Sequence, residues 1–139
     1  MTIIEIENEL KKYQSELENI IETDDINSLV ARIATTAGYH ARTGYLLAEA
    51  KRLLRLKKSD EISNMVRTIA KEGHLSGKAQ NALVDSIAIQ ENYVVDWADR
   101  INSMCVHQID VIRTLISKEK AEMQMNNFIA KNEYMLKNR

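Results

Sequence analysis

The sequence predicts an all-α fold, an elongated coiled-coil-like helical bundle of two long and two shorter helices. Proline is absent, glycine occurs four times and aromatic residues make up 5% of the chain, which leaves little material for turns or β-strands. The stretch from Gly77 to Lys120 also carries an unbroken heptad pattern, with seam residues separated alternately by four and three positions. Such spacing keeps one seam of a helix facing a partner helix. The predicted seam consists of Leu83, Ile87, Gln90, Val94, Trp97, Ile101, Met104, Gln108, Val111 and Leu115.

The composition indicates one soluble domain over residues 1–139. The chain is 45% hydrophobic and 28% charged with a net charge of −1, a balance typical of packed domains. No apolar run approaches the ~18 residues that a membrane span needs, and acids interrupt the N-terminal isoleucines, unlike in a signal peptide. The single cysteine, Cys105, suits a reducing compartment. We therefore expect a cytoplasmic protein without a membrane partner.

The first predicted helix, residues 1–22, is short, amphipathic and acidic. A helix of this length is marginal alone, so it must pack on another element. Its acidic faces also offer a counter-charge to basic residues elsewhere in the chain. The predicted seam comprises Ile3, Ile6, Leu10, Tyr13, Leu17 and Ile20.

The second predicted helix covers residues 26–57, with Asp24 or Asp25 as its N-cap. Its middle is rich in alanine and glycine, and small residues allow a partner helix to approach closely. Alternatively, this flat surface admits a ligand beside Tyr39, His40, Arg42 and Tyr45. The predicted seam comprises Ile26, Val30, Ile33, Ala37, His40, Gly44, Leu47 and Leu54.

Three further segments complete the predicted architecture. Ser59 and Asp60 indicate the start of a short helix over residues 59–72, and Gly73 is a natural residue to follow its end. Ser76 is the expected cap of the long helix over residues 77–120. Residues 121–139 carry methionine and phenylalanine among polar residues, so this tail is either helical or loosely ordered.

Basic residues cluster between positions 42 and 58. Basic residues in the last turn of a helix interact favourably with the helix dipole. The acidic first helix can neutralise the other basic residues of the strip, so these two effects explain most of it without a ligand. The less favoured alternative is nucleic-acid contact through phosphates. The residues that would make it are Arg52, Arg55, Lys57 and Lys58.

Polar residues also interrupt the apolar seams, and buried polar groups need hydrogen-bond partners because an unmet one costs about 1–3 kcal/mol. In coiled coils such residues fix register and oligomeric state. The alternative is a polar-ligand or anion site between helices. The candidate ligand-binding residues are His40, Arg42, Tyr45, His107, Asp110, Arg113, Thr114 and Ser117.

No catalytic or metal-binding pattern occurs in the sequence. The segment from Gly73 to Ala79 lacks the spacing and the strand context of a phosphate-binding loop. Cys105 and His107 project about 200° apart on a helix, so they cannot chelate one metal together. We expect a protein that is not an enzyme and that needs neither a metal nor a cofactor.

One segment carries a resemblance to known proteins. The runs Asp99-Arg100-Ile101-Asn102, His107-Gln108-Ile109-Asp110 and Arg113-Thr114-Leu115-Ile116-Ser117 resemble a stretch in small helical proteins from early regions of tailed phages and prophages. The resemblance implies a phage setting and a host-cell cytoplasm, and it assigns no functional residue. The sequence thus predicts a non-catalytic interaction or assembly protein, a phage accessory factor acting on another protein. It also predicts a homo-oligomer, a dimer first, because several apolar seams exceed what one bundle covers.

Overall fold

The computed structural model describes residues 1–72 and 77–138, without the side chains at positions 70–72, 80, 83–85 and 87. Four helices make up this part of the chain, and no strand occurs in it. They are α1 (Ile3–Glu18), α2 (Ile26–Glu72), α3 (Gly77–Ile87) and α4 (Ile89–Lys137). The two long helices pack against each other, so the predicted all-α bundle is confirmed.

Helix α1 begins with a capping box. The Thr2 hydroxyl accepts a hydrogen bond from the Glu5 amide at 3.2 Å, and the Glu5 carboxylate accepts one from the Thr2 amide at 3.1 Å. The predicted seam is correct along the helix, with three buried residues: Ile6, Leu10 and Leu17. The helix ends at Glu18 instead of position 22, and the predicted seam residue Ile20 is 81% exposed.

Helix α2 begins after Asp25, as predicted. The Asp25 carboxylate accepts hydrogen bonds from the Ser28 amide at 3.0 Å and from the Ser28 hydroxyl at 2.8 Å. The predicted restart at positions 59–60 is wrong, because one helix of 47 residues runs through both. Residues that can cap a helix do not break one by themselves, and an ion pair between Lys57 and Glu61, at 3.6 Å, bridges the expected junction.

The predicted long helix over residues 77–120 is divided at Ala88, the N-cap residue of α4. No glycine or proline marks this break. Ala88 is fully buried there, and its carbonyl accepts hydrogen bonds from the backbone and side-chain amides of Asn92. Beyond position 120, α4 continues to Lys137, so the tail is helical through that residue. The predicted caps Gly73 and Ser76, and the side chains of seam residues 83 and 87, lie outside the described residues.

Helices α1, α2 and α4 form an up-down-up bundle. Trp97 and Gln90 on α4 donate hydrogen bonds to Gln14 and Glu7 on α1, in the same chain order, so α1 and α4 run parallel. Helix α2 runs antiparallel to both, since Arg32 near its start contacts the end of α1 and Gln108 of α4. Helix α3 packs on α2 beside the start of α4.

The core shows that seam positions are shifted by one residue from the prediction, along most of α2 and at alternate positions of α4. Leu29 and Leu46 of α2 are buried in place of the predicted Val30 and Leu47. On α2, Thr36 and Thr43 are buried instead of Ala37 and Gly44, and their hydroxyls donate to the carbonyls of Arg32 and His40. On α4, the buried residues at the shifted positions are Ala98, Cys105 and Ile112, instead of Trp97, Met104 and Val111. The reason is the three-helix packing: α4 meets two neighbours, and Trp97 turns toward α1 while Cys105 turns toward α2.

Candidate functional site

The final part of α4 leaves the bundle. Ile112 is the last fully buried residue of this helix, and every residue from Lys120 to Asn138 is exposed. We call residues 120–137 the stem. At 1.5 Å per residue the stem extends about 27 Å beyond the packed part of α4. Single helices of this length owe their order to packing, so an unpacked stem is unusual unless another chain covers it.

One face of the stem is apolar. At 100° per residue, six side chains fall within an arc of about 120°, which is the width of a core-facing helix stripe. We call this set the stem stripe: Met125, Phe128, Ile129, Asn132, Met135 and Leu136. Its apolar members are between 47% and 67% exposed. The same rotation places the stripe on the side of α4 opposite Cys105, so it faces away from α2.

The polar residues at the α2–α4 crossing form a hydrogen-bonded layer. The Asn102 side-chain amide donates to the His40 carbonyl at 2.9 Å and to the Thr43 hydroxyl at 3.1 Å. Burial raises the pKa of the neighbouring Cys105 thiol, against the effect of its hydrogen bond with Thr43. One atom, Nδ1 of His40, is buried without a partner among the described residues. The Asn102 hydrogen bonds thus link α2 to α4 at this crossing.

Two of the predicted ligand-binding residues, Arg42 and Tyr45, contact each other, and Arg42 also binds Glu9 of α1. The Arg42 guanidinium donates to both carboxylate oxygens of Glu9, at 2.8 and 2.6 Å, and lies 5.1 Å from the centroid of the Tyr45 ring. The arginine holds the pKa of Glu9 below its usual range. This bidentate pair is the counter-charge that the acidic first helix was expected to provide.

Apart from His40 on α2, the other predicted ligand-binding residues lie on α4. Asp110 forms a loose ion pair with Arg113 at 3.6 Å, and the Thr114 hydroxyl donates to the Asp110 carbonyl. His107, Asp110, Arg113, Thr114 and Ser117 are all exposed. The structure does not bring this group to His40, whose carbonyl lies opposite Asn102, about one helical turn or more toward the start of α4.

The basic strip is partly neutralised within α2 itself. Arg52 pairs with Glu49 at 2.9 Å, and Lys57 pairs with Glu61. The hydrogen bond from Arg52 lowers the pKa of Glu49. Arg55 is exposed, and Lys58 is half-buried. The strip is thus a mixed-charge helix surface and not a continuous positive face.

A shallow groove of about 1110 Å³ runs between α1 and α4. Of the eight predicted ligand-binding residues, only His107 lines it. Its aromatic wall is the pair of Tyr93 and Trp97, with ring centroids 5.8 Å apart, and its carboxylates come from Glu18, Asp96 and Asp99. Arg100 also lines the groove, but the three carboxylates outnumber it, and aromatic rings beside carboxylates suit an organic cation. The sequence interpretation missed this groove because it assigned Trp97 to a buried seam.

The small residues of α2 do not pack as expected. Of the two glycines of α2 with described side-chain surroundings, Gly44 approaches α4, where an added Cβ would meet the Asn102 amide at 3.5 Å. Gly38 has open space around it, and its small neighbours on this face are exposed: Ala34, Ala37, Ala41 and Ala48. Close packing within the chain therefore explains Gly44 but not Gly38 or these exposed alanines.

Comparison with known proteins gives no relative: no protein-family model, curated protein or solved structure matches this chain. Among the described residues, no group of three histidine, cysteine or acidic side chains is arranged to hold a metal ion. Nor does any helix in the described part combine the length and the apolar character needed to cross a membrane.

Proposed function

We propose that this protein is a non-catalytic assembly protein that self-associates through its stem. The observation that carries the proposal is the stem stripe on a helix with no neighbour in the described chain. Soluble proteins rarely leave a continuous apolar stripe in water, and such surfaces usually mark an interface between chains. The bundle supplies a rigid base for this interface, because α4 is anchored in the core up to Ile112.

Charge and shape both favour a helical partner. The stripe has the spacing of a coiled-coil seam, and its members repeat at intervals of three and four along the helix. A second helix, or a hydrophobic groove of another protein, buries such a stripe under apolar side chains. A nucleic acid presents charged phosphates, so it would leave the apolar stripe exposed to water. We therefore favour helical self-association over nucleic-acid binding through Arg52, Arg55, Lys57 and Lys58. Arg52 and Lys57 already form ion pairs within α2, which neutralise part of the positive charge of this strip.

The setting proposed for this function rests on the sequence resemblance alone. The resemblance of residues 99–117 to a stretch in small helical proteins of phage early regions supports the proposal of a phage accessory factor that works on another protein in the host-cell cytoplasm. Self-association would give such a factor two or more copies of its binding surfaces, which raises the effective concentration of a bound partner.

Light scattering with matched stem variants tests the proposal. A Phe128→Glu substitution places a charge in the middle of the stem stripe, while Tyr134→Glu places the same charge on the opposite face of the stem. Phe128 and Tyr134 are 61% and 70% exposed, so neither change disturbs the bundle core.

We expect the wild-type chain and the Tyr134→Glu variant to have the mass of an oligomer, and the Phe128→Glu variant to have a mass near 15.9 kDa. Burying the exposed part of Phe128 in two copies contributes about 2–4 kcal/mol, so the substitution weakens association about 30- to 1,000-fold. A wild-type mass near 15.9 kDa that does not rise on concentration would contradict the proposal.

A second candidate function rests on the groove between α1 and α4. Its aromatic pair and carboxylates favour a small organic cation over the anion considered from the sequence. Titration with a quaternary ammonium compound should quench Trp97 emission if the groove binds such groups. The Tyr93→Ala variant should then lose the response, while a Tyr134→Ala variant keeps it.

A further inference from the structure

We propose that the stem stripe is covered by the stem stripe of a second copy, in a parallel two-stranded coiled coil with Asn132 opposite Asn132. The inference rests on the proposed self-association and specifies its geometry. Two observations carry it: one amide in the middle of the stripe, and opposite charges on the two flanks of the stripe.

The first observation is the position of Asn132. It lies at the centre of the stripe, between Phe128 and Ile129 on one side and Met135 and Leu136 on the other. An amide in an apolar interface needs a hydrogen-bond partner, and the apolar members of the stripe provide none. Parallel two-fold pairing sets the same residue opposite itself, so each Asn132 amide can donate to the carbonyl of the other.

The second observation is the charge on the flanks of the stripe. Lys131 lies about 100° to one side of the centre of the stripe, and Glu133 lies about 100° to the other side. Glu122 lies on the same side as Glu133, but its carboxylate is 4.0 Å from Lys118 of its own helix. In a parallel pair the basic flank of one stem faces the acidic flank of its partner. In an antiparallel pair equal flanks face each other, which sets lysine near lysine and glutamate near glutamate. The charges therefore favour the parallel arrangement.

The bundle does not obstruct this arrangement. The stripe lies on the side of α4 opposite Cys105, which faces α2, and α1 contacts α4 through Trp97 on a third side. Two parallel stems can therefore meet with both bundles on the outside of the pair. The result is a rod of two stems that carries two bundles at the same end.

Disulfide trapping of full-length variants with one introduced cysteine each tests the geometry. Met125→Cys and Met135→Cys place thiols in the stripe, about 15 Å apart along the helix, and a disulfide requires Cα atoms within roughly 7 Å. Ala130→Cys places a thiol on the opposite face of the stem and measures random collision. The native Cys105 is buried, so oxidised wild-type protein gives the background.

Each stripe variant alone should form a covalent dimer as its main product, at the concentration where light scattering shows an oligomer. The Ala130→Cys variant should form no more than a minor amount. Disulfides that appear only when the Met125→Cys and Met135→Cys proteins are mixed would show antiparallel stems and overturn the inference. An oligomer without any stem disulfide would also overturn the parallel coiled coil, but it would leave the proposed self-association intact. A protein that is monomeric in light scattering would contradict the proposed function itself.

The Asn132→Leu variant tests the amide layer separately. If the layer fixes a two-stranded pair, an apolar residue at this position should tighten association at least tenfold and yield masses above that of the dimer. An unchanged mass and an unchanged dissociation constant would show that Asn132 does not lie in the interface.

Discussion

A pair of isoleucines on α4 tests the division of this helix into a packed part and a free stem. Ile101 is 1% exposed in the core, whereas Ile129 is 47% exposed in the stem. Truncating Ile101 to alanine leaves a cavity between α4 and its neighbours and should cost about 2–5 kcal/mol of the free energy of unfolding. The Ile129→Ala change creates no cavity in the monomer, so its effect should stay within about 0.5 kcal/mol.

Both substitutions are best made in the Phe128→Glu background, which removes the contribution of self-association. Adjacent helix residues do not face each other, so the background change does not contact position 129. Urea unfolding followed by circular dichroism then gives the two free energies. Equal losses in the free energy of unfolding at the two positions would refute the reasoning. A loss below about 1 kcal/mol for Ile101→Ala would refute it as well, because truncating a fully buried isoleucine destabilises a packed core by more than that.

Three other predictions follow from single contacts. Trp97 is half-buried and donates to Gln14 at 2.8 Å, so its native emission should be blue-shifted and should move red in urea; native emission like that of free tryptophan would place it in water. The pKa of Glu9 is lowered by Arg42, so the stability from this pair is present at neutral pH and is lost as the pH falls through the lowered pKa. The Glu9→Gln variant should therefore be less stable at neutral pH and lose less stability on acidification to about pH 3 than the wild type, in urea titrations at both pH values. Burial raises the pKa of the Cys105 thiol, so a thiol reagent should label the native chain far more slowly than the chain in urea.

The sequence predicts α1 well because large apolar residues mark its seam unambiguously. The residues directly before and after Ile6, Leu10 and Leu17 are all charged, so no apolar neighbour one position away competes with them for burial. Asp25 was likewise a sound prediction, since a short carboxylate side chain before an apolar run satisfies the first amides of a helix.

The seams of α2 and α4 were harder to predict because small and polar residues occupy them. A heptad pattern cannot separate Thr36 from Ala37, or Thr43 from Gly44, by hydrophobicity. The structure buries the threonines because their hydroxyls bond to backbone carbonyls of their own helix, which removes the cost of burying a polar group. The break at Ala88 has no local signal at all and depends on tertiary packing.

The candidate site shows the same limit. The apolar residues of the stem are visible in the sequence, but the free stripe depends on where α1 and α2 stop covering α4. The predicted ligand-binding residues were grouped by their polarity and by their closeness along each of two helices. The contacts of these residues depend instead on how the helices pack. Arg42 bonds to Glu9 of α1, and Asn102 bonds to Thr43 at a crossing of α2 and α4 that lies three helical turns from Arg113.

Hydrogen exchange at several protein concentrations tests the central claim most directly, because it reports on the stem and on the bundle in one sample. If a second copy covers the stem, backbone amides of residues 120–137 should gain protection as the concentration rises, while amides of the bundle around Ile101 stay equally protected throughout. In the Phe128→Glu variant the stem should remain unprotected at every concentration. Stem amides whose exchange does not change with concentration in the wild-type protein would contradict the account.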